Sequence, residues 1–364
     1  MRVIISGGGT GGHIFPAIAI ANALKAADAN TELLFVGAEG KMEMEKVPQA
    51  GYKIHGLWIA GFQRGKIMEN LALPIKILNS LFSSFAIIRK FKPDVVVGVG
   101  GYASMAVVFM AQMMRIPTVL QEQNGYAGMT NKFLAKRAAR ICTAYAQCEQ
   151  FFPKDKITLT GNPVRQDIVT IANKHIEGCY EYQLDPLKKT ILVIGGSLGA
   201  KTINESINAS YDMFNEQQED IQVLWQTGKN NLDSYLKQPV AKLPNVKILP
   251  FLAKMDLAYA AADVVISRAG ALSISELCLV GKPVILVPSP NVTDDHQTKN
   301  AEALVAQNAA ILIKDVDCQA VLMQNVISLL QNKEACKNLS TNISSLAKPT
   351  AAQDIATVII NSKK

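Results

Sequence analysis

The sequence predicts an α/β protein of two doubly wound parallel-sheet domains facing a cleft. Three observations carry this. A β-branched run, Val3 to Ile5, passes through GGGTGGH (residues 7–13) into a run with helical spacing, so the glycines sit where a strand turns into a helix. The same plan restarts in TILVIGGSLGAKTINESI at residues 190–207. Later in each half, PDVVVGVGGYASMAVVFMAQMMRIPTVL (93–120) lines up with AADVVISRAGALSISELCLVGKPVILV (261–287): Asp, a Val-rich strand, a glycine turn, a helix and a Pro-led strand. Strands alternating with helices build parallel sheets, and such sheets bind ligands beyond the carboxyl ends of their strands, where each of these turns falls.

In the first junction, five glycines and one threonine fill residues 7–12, and Ile14, Ala17, Ile18 and Ala21 then share one side of a helix. The unpaired N–H groups of that helix's first turn favour an anion. Gly7, Gly9 and Gly12 also satisfy G-x-G-x-x-G, with Glu32 and Glu39 near where a ribose-binding acid is wanted, so a nicotinamide or flavin nucleotide is one reading. A tight turn that binds nothing is another. His13 faces the same cavity as the free N–H groups and can exchange a proton near neutral pH, or it can simply bond nearby backbone.

A chain of 364 residues is long for one core and predicts two domains. Hydrophobic content of 49% with 18% charged residues describes a soluble, well-packed protein. The six cysteines are scattered, without a C-x-x-C pair, which predicts reduced thiols and neither a disulfide frame nor a zinc site. No secretory leader is expected, because the first apolar run is a short strand followed at once by the glycine loop. Residues 95–114 carry no charge and have the length of a membrane span, but the β-branched run Val95 to Val97 ends at Gly98, Gly100 and Gly101, so a strand, a turn and a buried helix are expected.

The net charge of +7 is uneven: Arg64, Lys66, Lys76, Arg89, Lys90 and Lys92 stand against Glu69 alone, and residues 131–140 add Lys132, Lys136, Arg137 and Arg140. An anionic membrane surface suits this distribution. Nucleic acid does not, because no basic–aromatic interleaving accompanies it.

The domains are placed at 1–161 and 162–347, with the break at LTGNPVRQD (159–167), where Gly161 and Pro163 interrupt the pattern. A last helix after Pro349, within 348–364, is expected to cross back onto the first domain. In GGSLGA (195–200), Ser197 can donate its hydroxyl to a phosphate oxygen. In SRAGALSISE (267–276), Gly270 opens a helix whose N-terminus suits a diphosphate, and Glu276, about two turns in, can accept both hydroxyls of a ribose. In DDHQTKNA (294–301), His296, Gln297 and Asn300 suit a sugar, while Asp294 and Asp295 lack the further acids a metal site needs. GNPVR contributes Arg165, and QEQNGYAG (121–128) contributes Glu122 and Asn124 after a strand.

Taken in order, GGTGGHIFPA, GFQRGK, QEQN, GNPVR, GGSLGA, RAGALSISE and DHQTKNA span essentially the whole chain. Together they resemble a family of glycosyltransferases, of the family 28 type, that carry N-acetylglucosamine from UDP-N-acetylglucosamine to undecaprenyl-diphospho-N-acetylmuramoyl-pentapeptide. This is the lipid I to lipid II step of peptidoglycan synthesis. The resemblance implies the GT-B fold of two Rossmann-like domains, the first for the acceptor and the membrane, the second for the UDP-sugar. It implies donor contacts at Thr10, Gly11, Gly12, Asn124, Arg165, Ser197, Leu252 (through its backbone, to uracil), Ala271, Leu272, Ser273, Ile274, Ser275, Glu276 and Gln297. It implies an acid–base or acceptor role for His13, with Glu122 a second candidate base, and no cofactor or metal.

The mechanism expected is inverting: the acceptor hydroxyl attacks the anomeric carbon opposite UDP, a base takes its proton, and helix N-termini with Arg165 stabilise the departing diphosphate. An NAD-dependent oxidoreductase using the first glycine loop is the alternative, though it leaves Ser197 and Glu276 without a role. A non-enzymatic nucleotide or lipid binder leaves His13 and Glu122 without one.

Membrane association is read from the residues themselves. Pro74 suits a helix start, and over 74–91 Ile75, Ile77, Leu78, Leu81, Phe82, Phe85 and Ile88 cover a broad apolar arc flanked by Lys76, Arg89 and Lys90. Apolar side chains edged by cations make an interfacial anchor, so peripheral attachment to the cytoplasmic face of the inner membrane is expected around residues 64–92.

Overall fold

The computed structural model describes residues 1–61, 72–196, 198–292 and 295–363, with Gln166 described by its backbone alone. The positions read above as Arg64, Lys66, Glu69, Ser197 and Asp294, and most of the GFQRGK motif, lie outside the described residues. The chain divides into two compact units: Met1–Arg165 with Lys348–Lys364, and Gln166–Ala347.

The first unit runs β1 (Arg2–Ser6), α1 (Gly11–Ala27), β2 (Glu32–Ala38), α2 (Glu43–Gln49), β3 (Ile54–Leu57), α3 (Leu73–Phe91), β4 (Val95–Gly98), α4 (Tyr102–Met113), β5 (Thr118–Glu122), α5 (Met129–Ala135), β6 (Arg140–Thr143) and β7 (Ile157–Leu159). Among the described residues its sheet has the order β3-β2-β1-β4-β5-β6-β7, with parallel pairing throughout. Strands covered on both faces must be apolar throughout, which is why Val95 to Val97 read as an unbroken run. Val3, Ile5, Val95 and Val97 pack toward α1 on one face; Ile4 and Val96 pack toward α4 on the other. The uncharged stretch 95–114 is thus β4, a glycine turn and the buried α4. Among the described residues no helix is long and apolar enough to cross a membrane.

The second unit repeats the plan with β8 (Lys189–Ile194), β9 (Ile221–Gln226), β10 (Val246–Leu249), β11 (Val264–Ser267), β12 (Val284–Leu286) and β13 (Ile311–Leu312). Its parallel sheet has the order β10-β9-β8-β11-β12-β13. The helices are α6 (His175–Tyr182), α7 (Lys201–Asn208), α8 (Tyr211–Glu216), α9 (Leu232–Tyr235), α10 (Met255–Ala261), α11 (Ala271–Val280), α12 (His296–Val305), α13 (Cys318–Gln331) and α14 (Lys333–Ser345). The aligned segments 93–120 and 261–287 are β4-α4-β5 and β11-α11-β12, each beside its unit's first strand. In both sheets the order reverses at that strand, which opens a crevice at its carboxyl end.

A final helix, α15 (Ala351–Asn361), returns to the first unit, where Ile355, Ala356 and Ile359 join Ile14, Ala17, Ile20 and Ala21 of α1 in one buried cluster. Gly161 has φ +85°, and a Cβ there would lie 2.7 Å from Lys348 Cβ, so the chain leaves and re-enters this unit at one close crossing.

Helix α3 begins at Leu73 and divides its apolar arc. Ile88 is buried and Leu81 packs against the core, while Ile75, Ile77, Leu78, Phe82 and Phe85 stay exposed. The inward face also carries Ser80 and Ser84, whose hydroxyls bond the carbonyls of Ile77 and Ser80. These small side chains leave the larger apolar ones outside.

Candidate active site

In the first unit the crevice lies between the loops after β1 and β4. Ser6 closes β1 by donating to the carbonyls of Val36 (2.9 Å) and Ala103 (3.3 Å), which ties this end to β2 and α4. The glycine turn follows. A Cβ on Gly101, at φ +78°, would sit 2.5 Å from the Gly8 carbonyl oxygen, so the two turns touch backbone to backbone. Thr10 caps α1 in extended conformation, and its Oγ1 lies 3.1 Å from His13 Nδ1.

The half-buried His13 ring rests on the second turn: a Cβ on Gly100 would lie 2.8 Å from His13 Cδ2. Burial pushes this imidazole below its ordinary value, against the opposing pull of the Gly8 carbonyl and the Glu43 carboxylate. The ring is therefore neutral at physiological pH, the state a proton acceptor needs. Burial, and then Glu43, hold the phenol of Tyr102 above its ordinary range.

Glu122 ends β5 with a fully occupied carboxylate. Oε1 accepts from Asn124 N (3.2 Å) and Asn124 Nδ2 (3.4 Å); Oε2 accepts from Gly128 N (3.0 Å) and Asn131 Nδ2 (2.9 Å). The QEQN and GNPVR motifs meet next to it, because Asn162 donates to the Gln123 carbonyl (3.0 Å) and receives Gln121 Nε2 (3.2 Å). Arg165 closes the first unit.

In the second unit the loops after β8 and β11 occupy the same place. After β8, Gln226 donates to the Gly196 carbonyl (2.9 Å) and Asn231 to that of Leu198 (3.1 Å). Gly199, at φ +78°, has no room for a side chain, since a Cβ would collide with the Thr227 carbonyl.

Helix α11 opens at Gly270 with no side-chain cap, and a helix N-terminus favours an anion. Of the expected donor segment, Ala271 and Ile274 are buried, so only their backbone can face a ligand, whereas Leu272, Ser273, Ser275 and Glu276 are half-buried. The Glu276 carboxylate receives the Tyr259 hydroxyl at 3.3 Å. Gln297 takes the Ser289 N–H on its Oε1 at 2.9 Å and so steadies the loop before α12. The Leu252 side chain lies in the core.

Sequence reasoning missed Glu43, buried beneath the first glycine turn, and the pair Arg268–Asp315 near the second. Glu43 sits among Glu39 and Glu45 with no local signal to single it out. Arg268 adjoins the Gly270 turn, and that adjacency was its only signal.

Among the described residues no group of three His, Cys, Asp or Glu side chains is placed to hold a metal ion. The six cysteines are free, and burial pushes the thiols of Cys142, Cys148 and Cys278 up to about 12. The hydride-transfer alternative finds no support: the Gly9 N–H that a dinucleotide diphosphate would use is held by Glu43, and that carboxylate repels an anion.

Comparison with known proteins agrees with this fold. Residues 3–143 match the glycosyltransferase family 28 N-terminal domain, and residues 190–356 match the family 28 C-terminal domain. The chain is 54% identical over 359 residues to a UDP-N-acetylglucosamine--N-acetylmuramyl-(pentapeptide) pyrophosphoryl-undecaprenol N-acetylglucosamine transferase of Flavobacterium psychrophilum, covering 99% of this chain and 97% of that one. A protein of the same name from Parabacteroides distasonis is 52% identical over 366 residues, with the same coverage. Among solved structures, Acinetobacter baumannii MurG superposes with a TM-score of 0.76 at 28% identity, covering 99% of both chains. A UDP-GlcNAc 2-epimerase from Neisseria meningitidis shares the fold alone, with a TM-score of 0.71 at 15% identity over 99% of this chain and 100% of that one. Matched at both sheets and along nearly its whole length, the chain belongs to glycosyltransferase family 28.

Proposed function

We propose that this enzyme transfers N-acetylglucosamine from UDP-N-acetylglucosamine to the lipid-linked N-acetylmuramoyl-pentapeptide, converting lipid I to lipid II in peptidoglycan synthesis. The observation in the molecule that carries the reading is His13: a neutral imidazole at the switch point of the first sheet, held between two glycine turns. As base, it takes the proton of the acceptor hydroxyl while that oxygen bonds the anomeric carbon. The carbon–oxygen bond to UDP breaks on the opposite face, so the configuration inverts and UDP leaves with the electron pair.

The donor belongs to the second unit. The α11 N-terminus suits the diphosphate, Glu276 the ribose hydroxyls, Leu252 the uracil through its backbone, and Ser197 and Gln297 the remaining phosphate and sugar contacts. Thr10, Gly11, Gly12, Asn124 and Arg165 are the donor contacts proposed from the first unit. Glu122 is better suited to shaping the Asn124 loop than to accepting a proton, because four N–H donors already fill its oxygens.

The enzyme works as a peripheral protein on an anionic membrane, at its cytoplasmic face. Ile75, Leu78, Phe82 and Phe85 recur at three- and four-residue spacing on the exposed side of α3, with Phe82 74% exposed. Arg89 and Lys90 follow the stripe, and the Lys76 ammonium lies 5.5 Å from the Trp58 ring. An exposed apolar stripe edged by cations suits a lipid boundary.

Release of UDP from UDP-N-acetylglucosamine in the presence of the lipid acceptor, together with binding of UDP but not NAD, is the expected result. Binding of NAD, or no turnover with that acceptor, would overturn the reading.

A further inference from the structure

Glu43 is wholly buried, at 0% exposure, and the transfer reaction described above makes no use of it. A buried carboxylate must be compensated by hydrogen bonds or by charge. Here Gly9 N–H reaches its two oxygens at 3.1 and 3.2 Å, and Ala38 N–H reaches Oε1 at 3.0 Å. The side chain therefore rises from α2 to bridge the carboxyl ends of β1 and β2. The fit leaves no slack: a Cβ on Gly8 would overlap the carboxylate, and one on Gly37 would lie 2.5 Å from Glu43 Cγ.

The same short turn holds His13. Thr10 Oγ1 lies 3.1 Å from the imidazole Nδ1, and the Gly8 carbonyl favours the protonated ring. Glu43 thus holds Gly9 and packs against Gly8, while His13 stands beside the Thr10 hydroxyl of the same turn. From α4, Tyr102 covers the turn, and its phenol stays protonated. From the loop after β5, the neutral Gln123 amide donates to the Val99 carbonyl. The Glu43 carboxylate also favours the protonated imidazole, a smaller influence than burial or the Gly8 carbonyl.

We propose that Glu43 is the positioning residue for His13: it locks the glycine turn that carries the imidazole and sets a carboxylate beneath that turn. The proposal rests on the reading of His13 as base. In the reaction the proton passes from the acceptor hydroxyl to His13 and stops there. The Glu43 carboxylate stabilises the imidazolium as it forms, and UDP departs with the electron pair of the broken bond. A carboxylate that merely stapled the turn would fix the same backbone without influencing the proton.

The test uses the full-length enzyme, with His13 followed by NMR across pH alongside steady-state kinetics. Glu43→Gln keeps the size and one acceptor but removes the charge. The expected result is a kcat lower by roughly tenfold, a part of the roughly 10²–10⁴-fold that general-base catalysis contributes. The donor KM should change less than kcat, as most of the proposed donor contacts belong to the other unit. The His13 titration and the acid limb of the kcat profile should both move to lower pH. Glu43→Asp, which draws the charge back by one methylene, should move them a smaller distance the same way, and it decides the matter if Glu43→Gln fails to fold. An unmoved His13 titration in a folded variant overturns the proposal. Undiminished kcat in His13→Asn would instead remove the base reading, which is a separate outcome.

Discussion

Arg268 and Asp315 form an ion pair beside the Gly270 turn, their side chains 15% and 20% exposed. The Arg268 guanidinium also donates to the carbonyls of Val287 (3.0 Å) and Pro288 (3.1 Å), and the second oxygen of Asp315 takes the Thr202 hydroxyl at 2.7 Å. One pair thereby joins the loops after β11 and β12 to α7, the helix that follows the 195–199 turn. Removing one partner strands the other charge in a poorly solvated place. Asp315→Ala should cost about 2–4 kcal/mol of stability, read by denaturant unfolding, and should raise the KM for UDP-N-acetylglucosamine more than it lowers kcat. A change within about 0.5 kcal/mol, as at ordinary surface positions, would show that the pair holds nothing.

Glu276→Ala should weaken UDP binding by roughly 1.5–3 kcal/mol, the range for hydrogen bonds to a charged group, or about ten- to a hundredfold by titration calorimetry. Unchanged affinity would remove Glu276 from the ribose site.

His13→Ala should lower kcat by roughly a hundredfold or more, as loss of a general base does, with little change in the donor KM. Loss of donor binding with intact turnover at saturation would assign His13 to positioning instead.

The pH dependence follows from the burial of a neutral His13. Its value in the folded protein lies below the ordinary 6.5, so the unfolded chain takes up the proton first as pH falls. Stability from this residue is therefore present above 6.5 and lost as pH falls from there through the folded value. The acid limb of kcat should also fall below the ordinary histidine range. Rising kcat across that interval on acidification would contradict a neutral base.

Vesicle co-sedimentation tests the face of α3. Each cation near an anionic surface contributes about 1 kcal/mol, so Lys76→Glu, Arg89→Glu and Lys90→Glu combined should abolish binding that wild type shows at low salt. Phe82→Ser should weaken it without changing the salt dependence. Equal binding by wild type and the charge variant would refute an electrostatic anchor.

The doubly wound architecture was legible in the sequence because strands buried on both faces must be continuously apolar. Val95 to Val97 and Val264 to Ile266 each end in a glycine turn, and this also resolved the uncharged 95–114 stretch as strand and helix. The division of the α3 arc was not legible. Periodicity lists which side chains share a face, but Ser80 and Ser84 turned inward only because α3 packs beside α4.

By itself the sequence determined two parallel-sheet units, the family, and the loops that carry the chemistry, because glycine turns at strand ends are local features set by neighbouring residues. Only the tertiary structure decided which side chains those loops meet. Glu43 reads as one acid among several on a short helix, and it becomes the carboxylate beneath Gly8 and Gly9 only when α2 packs over the ends of β1 and β2. Glu122 reads as a free base, and its four N–H donors come from residues 124, 128 and 131 once that loop closes. Burial and hydrogen-bond occupancy set the proton chemistry of a side chain, and both are properties of packing between segments that lie apart in the chain.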